Sequence, residues 1–163
     1  ARAIGYRAKP VIAAVEGYAL GGGFILAASC DIVVSASNAR WHLPEAPNGW
    51  LPPWGLTALL ARVGPVRARR LTWGAVPIDA NEAARIGLVD DLAAPGGALD
   101  YARRVAAELA AVPKEAVAST KRFFEPFIMT DAERLDEVAS REFAANCETP
   151  SSRKTFERFT VKS

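Results

Sequence analysis

The chain has 163 residues, half of them hydrophobic, with 23% charged residues and a formal net charge of +2. That length suits one domain with a sizeable buried core, and so balanced a charge argues against nucleic acid as a partner. Two cysteines, Cys30 and Cys147, and a single histidine give neither a disulfide framework nor a structural zinc site.

The opening residues, Ala1 to Pro10, carry charge but none of the apolar run of a signal peptide. The longest apolar stretch, Val11 to Val34, is broken by Glu16, Gly17, the Gly21-Gly22-Gly23 triplet and Asp31, so it does not read as a membrane span. A soluble, cytoplasmic protein is expected. Val11 to Val15 reads as a buried strand. After the glycine triplet, Phe24 to Ser29 reads as a helix and Ile32 to Ser35 as a second buried strand, together a βαβ-like unit. Cys30, inside an apolar run, is expected to be a buried thiol. Arg40 to Gly55, rich in Pro, Gly and Trp, reads as an ordered loop that carries function.

From Leu56 onward helices are expected, with strands confined to the first third. Gly64-Pro65 stops one helix and starts another. Asp79-Ala80-Asn81-Glu82 and Thr130-Asp131-Ala132-Glu133 have the form of capping boxes. Leu88-Val89 reads as a short extended segment. Leu99, Ala102, Val105, Ala106, Leu109 and Val112 recur at helical spacing, and Ser152 to Phe159 reads as a last short helix.

Two features bear on chemistry. Glycines at a helix start leave backbone N–H groups free, with the positive end of the helix dipole behind them. That arrangement serves either an anion or a polarised carbonyl, or simply a tight turn that packs helix on sheet. Glu45 lies between Pro44 and Pro47 among apolar and aromatic residues, where burial would raise its pKa into a useful acid/base range; a solvated loop carboxylate is the alternative. His42 reads as structural. Trp50, Pro52, Pro53 and Trp54 suit either an apolar pocket or core packing. Arg67, Arg69, Arg70 and Lys121 read as a solvated helix face.

The run Lys9-Pro10-Val11-Ile12-Ala13-Ala14-Val15-Glu16-Gly17-Tyr18-Ala19-Leu20-Gly21-Gly22-Gly23, followed by Cys30-Asp31-Ile32, resembles the central signature of the crotonase (enoyl-CoA hydratase/isomerase) family. The resemblance continues through Trp41 to Glu45, Gly49, Pro52 to Gly55, Leu71 to Gly74, and Glu82-Ala83 into Gly87-Leu88-Val89, and extends to Lys121 and Phe156. It implies an α/β fold, a ββα spiral whose C-terminal part fills residues 1–95, followed by a helical oligomerisation region over residues 96–163. It also implies acyl-CoA thioester substrates, no separate cofactor, no metal, and a homotrimer or dimer of trimers.

Carried over residue by residue, Glu45 is the acid/base group and the Gly22 N–H one oxyanion donor. Gly21, Gly23, Ile25, Pro53 and Trp54 border the substrate. The second donor belongs to an upstream family segment that this sequence does not contain, so the chain is expected to be part of a longer protein. Hydratases of the family use two glutamates; one maps onto Glu45 and the other onto Ile25. Pro53 replaces a glycine of the family's Pro-Gly-Ala-Gly-Gly turn. With one carboxylate, the expected reaction is double-bond isomerisation of 3-enoyl-CoA to 2-enoyl-CoA. Hydration of 2-enoyl-CoA and a non-catalytic acyl-CoA-binding homologue are the alternatives.

Overall fold

The computed structural model describes residues 2–74 and 76–160; residues 1, 75 and 161–163, which the expected ranges 1–95 and 96–163 include, lie outside the described residues. After a single helical turn, α1 (Arg2–Gly5), the chain winds between two small sheets. Strands β1 (Ile12–Val15) and β2 (Tyr18–Leu20) lead into helix α2 (Gly22–Ala28). Strands β3 (Ile32–Ala36) and β4 (Arg40–His42) repeat the course one turn later. β1 pairs in parallel with β3, Ile12 opposite Ile32, and β2 in parallel with β4, Tyr18 opposite Arg40. This is the expected ββα spiral. Gly17, at φ 68°, makes the corner from the first sheet to the second.

β3 is central, paired along one edge with β1 and along the other with the later strand Asp91–Ala93, and both its faces are buried, as in parallel sheets generally. Val33 points into the main core with Phe24, Trp41, Leu43, Leu59 and Leu88. Val34 points the other way, toward Ala36, Ala93, Ala98 and Ala102. Burying a side chain such as Phe24 or Leu59 contributes roughly 1.5–3 kcal/mol. Trp41 meets Phe24 edge-on at 5.5 Å, and its indole N–H donates to Ser35 Oγ at 3.3 Å.

Helix α3 (Leu56–Thr72) breaks its helical geometry at Gly64, φ 76° and ψ 166°, immediately before Pro65, at the expected stop and start. Its Arg62 donates to the carbonyls of Ala28 and Cys30 at 2.9 and 2.7 Å and pairs with Asp90 at 3.0 Å. A cation at the C-terminal end of α2 is favoured by the helix dipole. Strand β5 (Ile78–Asp79) and helix α4 (Ala80–Arg85) follow, and Asp79 Oδ1 accepts from the Glu82 N–H at 2.8 Å. Strand β6 (Asp91–Ala93) closes the first sheet in the order β1-β3-β6, and β5 the second in the order β2-β4-β5. Helices α5 (Ala98–Ala111), α6 (Lys114–Met129), α7 (Ala132–Cys147) and α8 (Pro150–Thr160) complete the chain.

Several expectations need correction. Strands are not confined to the first third, because β5 and β6 each find an edge to pair with. The extended segment after α4 is Asp91–Ala93, not Leu88-Val89. The segment Arg40 to Gly55 starts as strand β4. Glu82 does not close its capping box, since its carboxylate pairs with Arg85. The second box does not form either: α7 has no side-chain cap, Thr130 Oγ1 donates back to the Pro126 carbonyl, and Asp131 pairs with Arg134. Cys30 is half-buried, not buried. Lys121 is not on a solvated face: its side chain is 10% exposed, and Nζ donates to Asp31 Oδ2 at 2.7 Å and to the carbonyls of Ile4 and Lys9. Among the described residues no helix is long and apolar enough to cross a membrane.

Candidate active site

The site forms where the second sheet ends. The Gly21 N–H donates to the His42 carbonyl at 2.9 Å, which ties the start of α2 to the end of β4. Gly21 adopts φ 52°, ψ −120°, a conformation strained for any residue with a Cβ. The first α-helical bond of α2 runs from the Ile25 N–H to the Gly21 carbonyl. The N–H groups of Gly22, Gly23 and Phe24 precede it, as at any helix start.

Three residues beyond β4 the chain reaches Glu45. The His42 ring nitrogen Nε2 is 2.8 Å from the Gly74 carbonyl, the structural role expected for it. Glu45 opens a 3₁₀ turn, Ala46–Asn48, with Pro47 inside it, and its carbonyl accepts from Asn48 and Trp50 N–H groups. The carboxylate turns back to the glycines: a Cβ built on Gly21 would stand 2.8 Å from Glu45 Oε1. Oε2 is buried without a hydrogen-bond partner among the described residues. Burial pushes the Glu45 carboxyl above the ordinary glutamate range; a hydrogen bond from its own backbone and the nearby His42 ring pull the other way. Trp54 lies over the next glycine, with Cζ2 3.4 Å from a Cβ built on Gly22, whereas a Cβ on Gly23 would meet open space.

Gly21, Gly22, Glu45 and Trp54 are therefore brought together. Ile25, one turn into α2, is 1% exposed and belongs to the main core. Pro53 is half-buried beside Trp54. Two apolar cavities border the loop without touching Glu45. One, of about 710 Å³, lies between α2, α3 and α6; the other, of about 610 Å³, is lined by Trp50, Leu60, Trp73 and Leu135. Among the described residues no three His, Cys, Asp or Glu side chains gather as metal ligands would.

The loop after Glu45 is held by residues that no local pattern marks. The Leu51 N–H donates to Asn146 Oδ1 at 2.9 Å, the Gly55 N–H to Asp136 Oδ1 at 2.7 Å, and Ser152 Oγ to the Gly49 carbonyl at 2.9 Å. Trp50 stacks on Phe156 at 5.2 Å and meets Phe143 edge-on. These partners lie on α7 and α8, about a hundred residues downstream, where the sequence shows only amphipathic helices.

Residues 2–163 match the family model described as enoyl-CoA hydratase/isomerase. A crotonyl-CoA hydratase of Syntrophomonas wolfei is 40% identical over 136 residues, covering 83% of this chain and 52% of that protein. A short-chain-enoyl-CoA hydratase of Clostridium acetobutylicum is 44% identical over 115 residues, 70% of this chain and 44% of that protein. Among solved structures, an enoyl-CoA hydratase from Mycobacterium tuberculosis superposes with a TM-score of 0.76 at 34% identity, covering 87% of this chain and 66% of that one. A structure described as a putative enoyl-CoA hydratase from Streptomyces avermitilis shares the fold, with a TM-score of 0.89 at 20% identity over 99% of this chain and 59% of that one. The chain spans about half the length of the curated relatives it matches.

Proposed function

The chain belongs to the enoyl-CoA hydratase/isomerase family, and we propose that the protein hydrates 2-enoyl-CoA thioesters, with Glu45 as its acid/base group. The observation that carries this reading is the approach of the half-buried Glu45 carboxylate to the backbone of Gly21, at the start of a helix. The Gly22 N–H donates to the thioester oxygen and stabilises the enolate; one such donor is worth roughly 10²–10³ in rate. Glu45 takes a proton from water as the water oxygen bonds to C3. The protonated carboxyl then returns that proton to C2, so that one water is added across the double bond. Gly21, Gly23, Pro53 and Trp54 border the substrate in this reading.

Hydration ranks ahead of the isomerisation expected from the sequence because the curated relatives are hydratases by name. One observation favours isomerisation as a second reading: an apolar, buried Ile25 stands where the family resemblance places a second glutamate. The test is to give the purified full-length protein crotonyl-CoA and a 3-enoyl-CoA separately. Hydration removes the absorbance of the conjugated double bond, and isomerisation creates it. Faster conversion of crotonyl-CoA is expected. A faster double-bond shift would put isomerisation first, and binding without turnover would make the protein a non-catalytic homologue.

The oligomer proposed with this activity is a trimer or dimer of trimers. The exposed Phe123, Phe124 and Phe127 on α6 supply apolar surface for association. Sedimentation equilibrium showing a monomer at micromolar concentration would contradict it.

A further inference from the structure

We infer that Asn146 and Asp136 of α7 are positioning residues for the active-site loop, holding Glu45 and Trp54 in register with the glycine turn. The inference rests on the functional reading above. The loop between Glu45 and α3 contains one 3₁₀ turn and no strand pairing. Of the five residues Leu51 to Gly55, Pro52 and Pro53 have no N–H to give. Two of the remaining three amides, Leu51 and Gly55, donate to side chains of α7. A loop without a backbone ladder takes its geometry from whatever satisfies its amides, and here that is α7.

Each bond leads to one side of the site. Asn146 holds Leu51; its neighbour Trp50 donates its N–H to the Glu45 carbonyl at 3.1 Å. Trp50 is also clamped between Phe143 and Phe156. Asp136 holds Gly55, which follows Trp54, the residue packed over Gly22. That bond is short, as expected of a carboxylate acceptor, and it places a negative charge at the N-terminus of α3, where the dipole favours one. A third fastening, Ser152 Oγ on the Gly49 carbonyl, is packed so closely that a Cβ on Gly49 would stand 2.7 Å from Ser152 Oγ.

The experiment uses the full-length protein and four variants: Asn146→Ala, Asp136→Ala, and the conservative Asn146→Asp and Asp136→Asn, which keep an acceptor oxygen. For the enoyl-CoA that the wild type converts, each Ala variant is expected to lower kcat at least about tenfold, within the roughly hundredfold that a misplacement near 1 Å can cost. KM should stay within about threefold, and amide exchange across residues 50–55 should accelerate. The conservative variants should stay within about threefold of wild type in kcat. A kcat near wild type in the Ala variants, or unchanged exchange, overturns the positioning role, as does an equal loss in the conservative variants. If Asp136→Ala fails to fold by circular dichroism, Asn146→Ala decides alone. A folded wild type inert toward every enoyl-CoA overturns the functional reading itself, and the role falls with it.

Discussion

Glu45 and Gly21 interlock: the carboxylate Oε1 occupies the space beside Gly21 that a side chain would need, 2.8 Å from the position of a Cβ. The two residues are brought together by the β2–β4 pairing, which sets Leu20 opposite His42, and by the bond from the Gly21 N–H to the His42 carbonyl, three residues before Glu45. The glycine is therefore required by its own φ of 52°, and a side chain there would push the carboxylate out of its place.

Gly21→Ala removes both freedoms. Backbone strain of this kind costs about 1–3 kcal/mol, and the methyl group must displace Oε1 from the site. The variant should lose stability of that order in urea unfolding and at least about tenfold in kcat. Wild-type stability and turnover together would mean that the carboxylate does not hold its place against this turn.

Glu45→Gln should make the protein more stable at neutral pH. The Glu45 carboxyl is raised in the folded state, first by burial. The stability of a group raised on folding is fully present below its unfolded pKa and is lost as pH rises through the folded value. The ionised carboxylate therefore weakens the wild type at pH 7, and the neutral amide escapes that cost. The gain of the Gln variant in thermal unfolding should be larger at pH 7.5 than at pH 4. A gain that is equal at both, or that grows on acidification, would contradict a desolvated carboxylate.

The β1–α2–β3 unit is legible because Val11 to Val15 and Ile32 to Ser35 are apolar runs long enough to show a pattern, separated by glycines that stop each element. β2 and β4 have three residues each, too few to display an alternation, and they are strands through their pairing with each other and, for β4, with β5. β6 begins with Asp91 and exists because β3 offers it an edge. Glu45 stands out from its flanking prolines and apolar neighbours. Asn146 and Asp136 do not stand out, and Lys121 reads as surface, because their roles depend on partners 81 to 117 residues away.

Lys121→Met tests the buried role of Lys121. Lys121 fastens α6 to the strand region through Asp31 and two carbonyls. Asp31 Oδ2 also accepts from the Val11 N–H. Removing the ammonium leaves those acceptors short of a donor, and a loss of about 1–3 kcal/mol is expected in urea unfolding. An unchanged midpoint and slope would return Lys121 to the solvated surface.

The most direct test of the mechanism is the turnover of crotonyl-CoA by Glu45→Gln in the full-length protein, measured beside thioester binding by calorimetry. Glutamine keeps the size and polarity of the side chain but cannot accept a proton from water. General acid/base catalysis contributes about 10²–10⁴ in rate, so kcat should fall by at least about a hundredfold while the dissociation constant for the thioester stays within about threefold. A folded Glu45→Gln protein that keeps more than about a third of wild-type kcat would remove Glu45 from the chemistry.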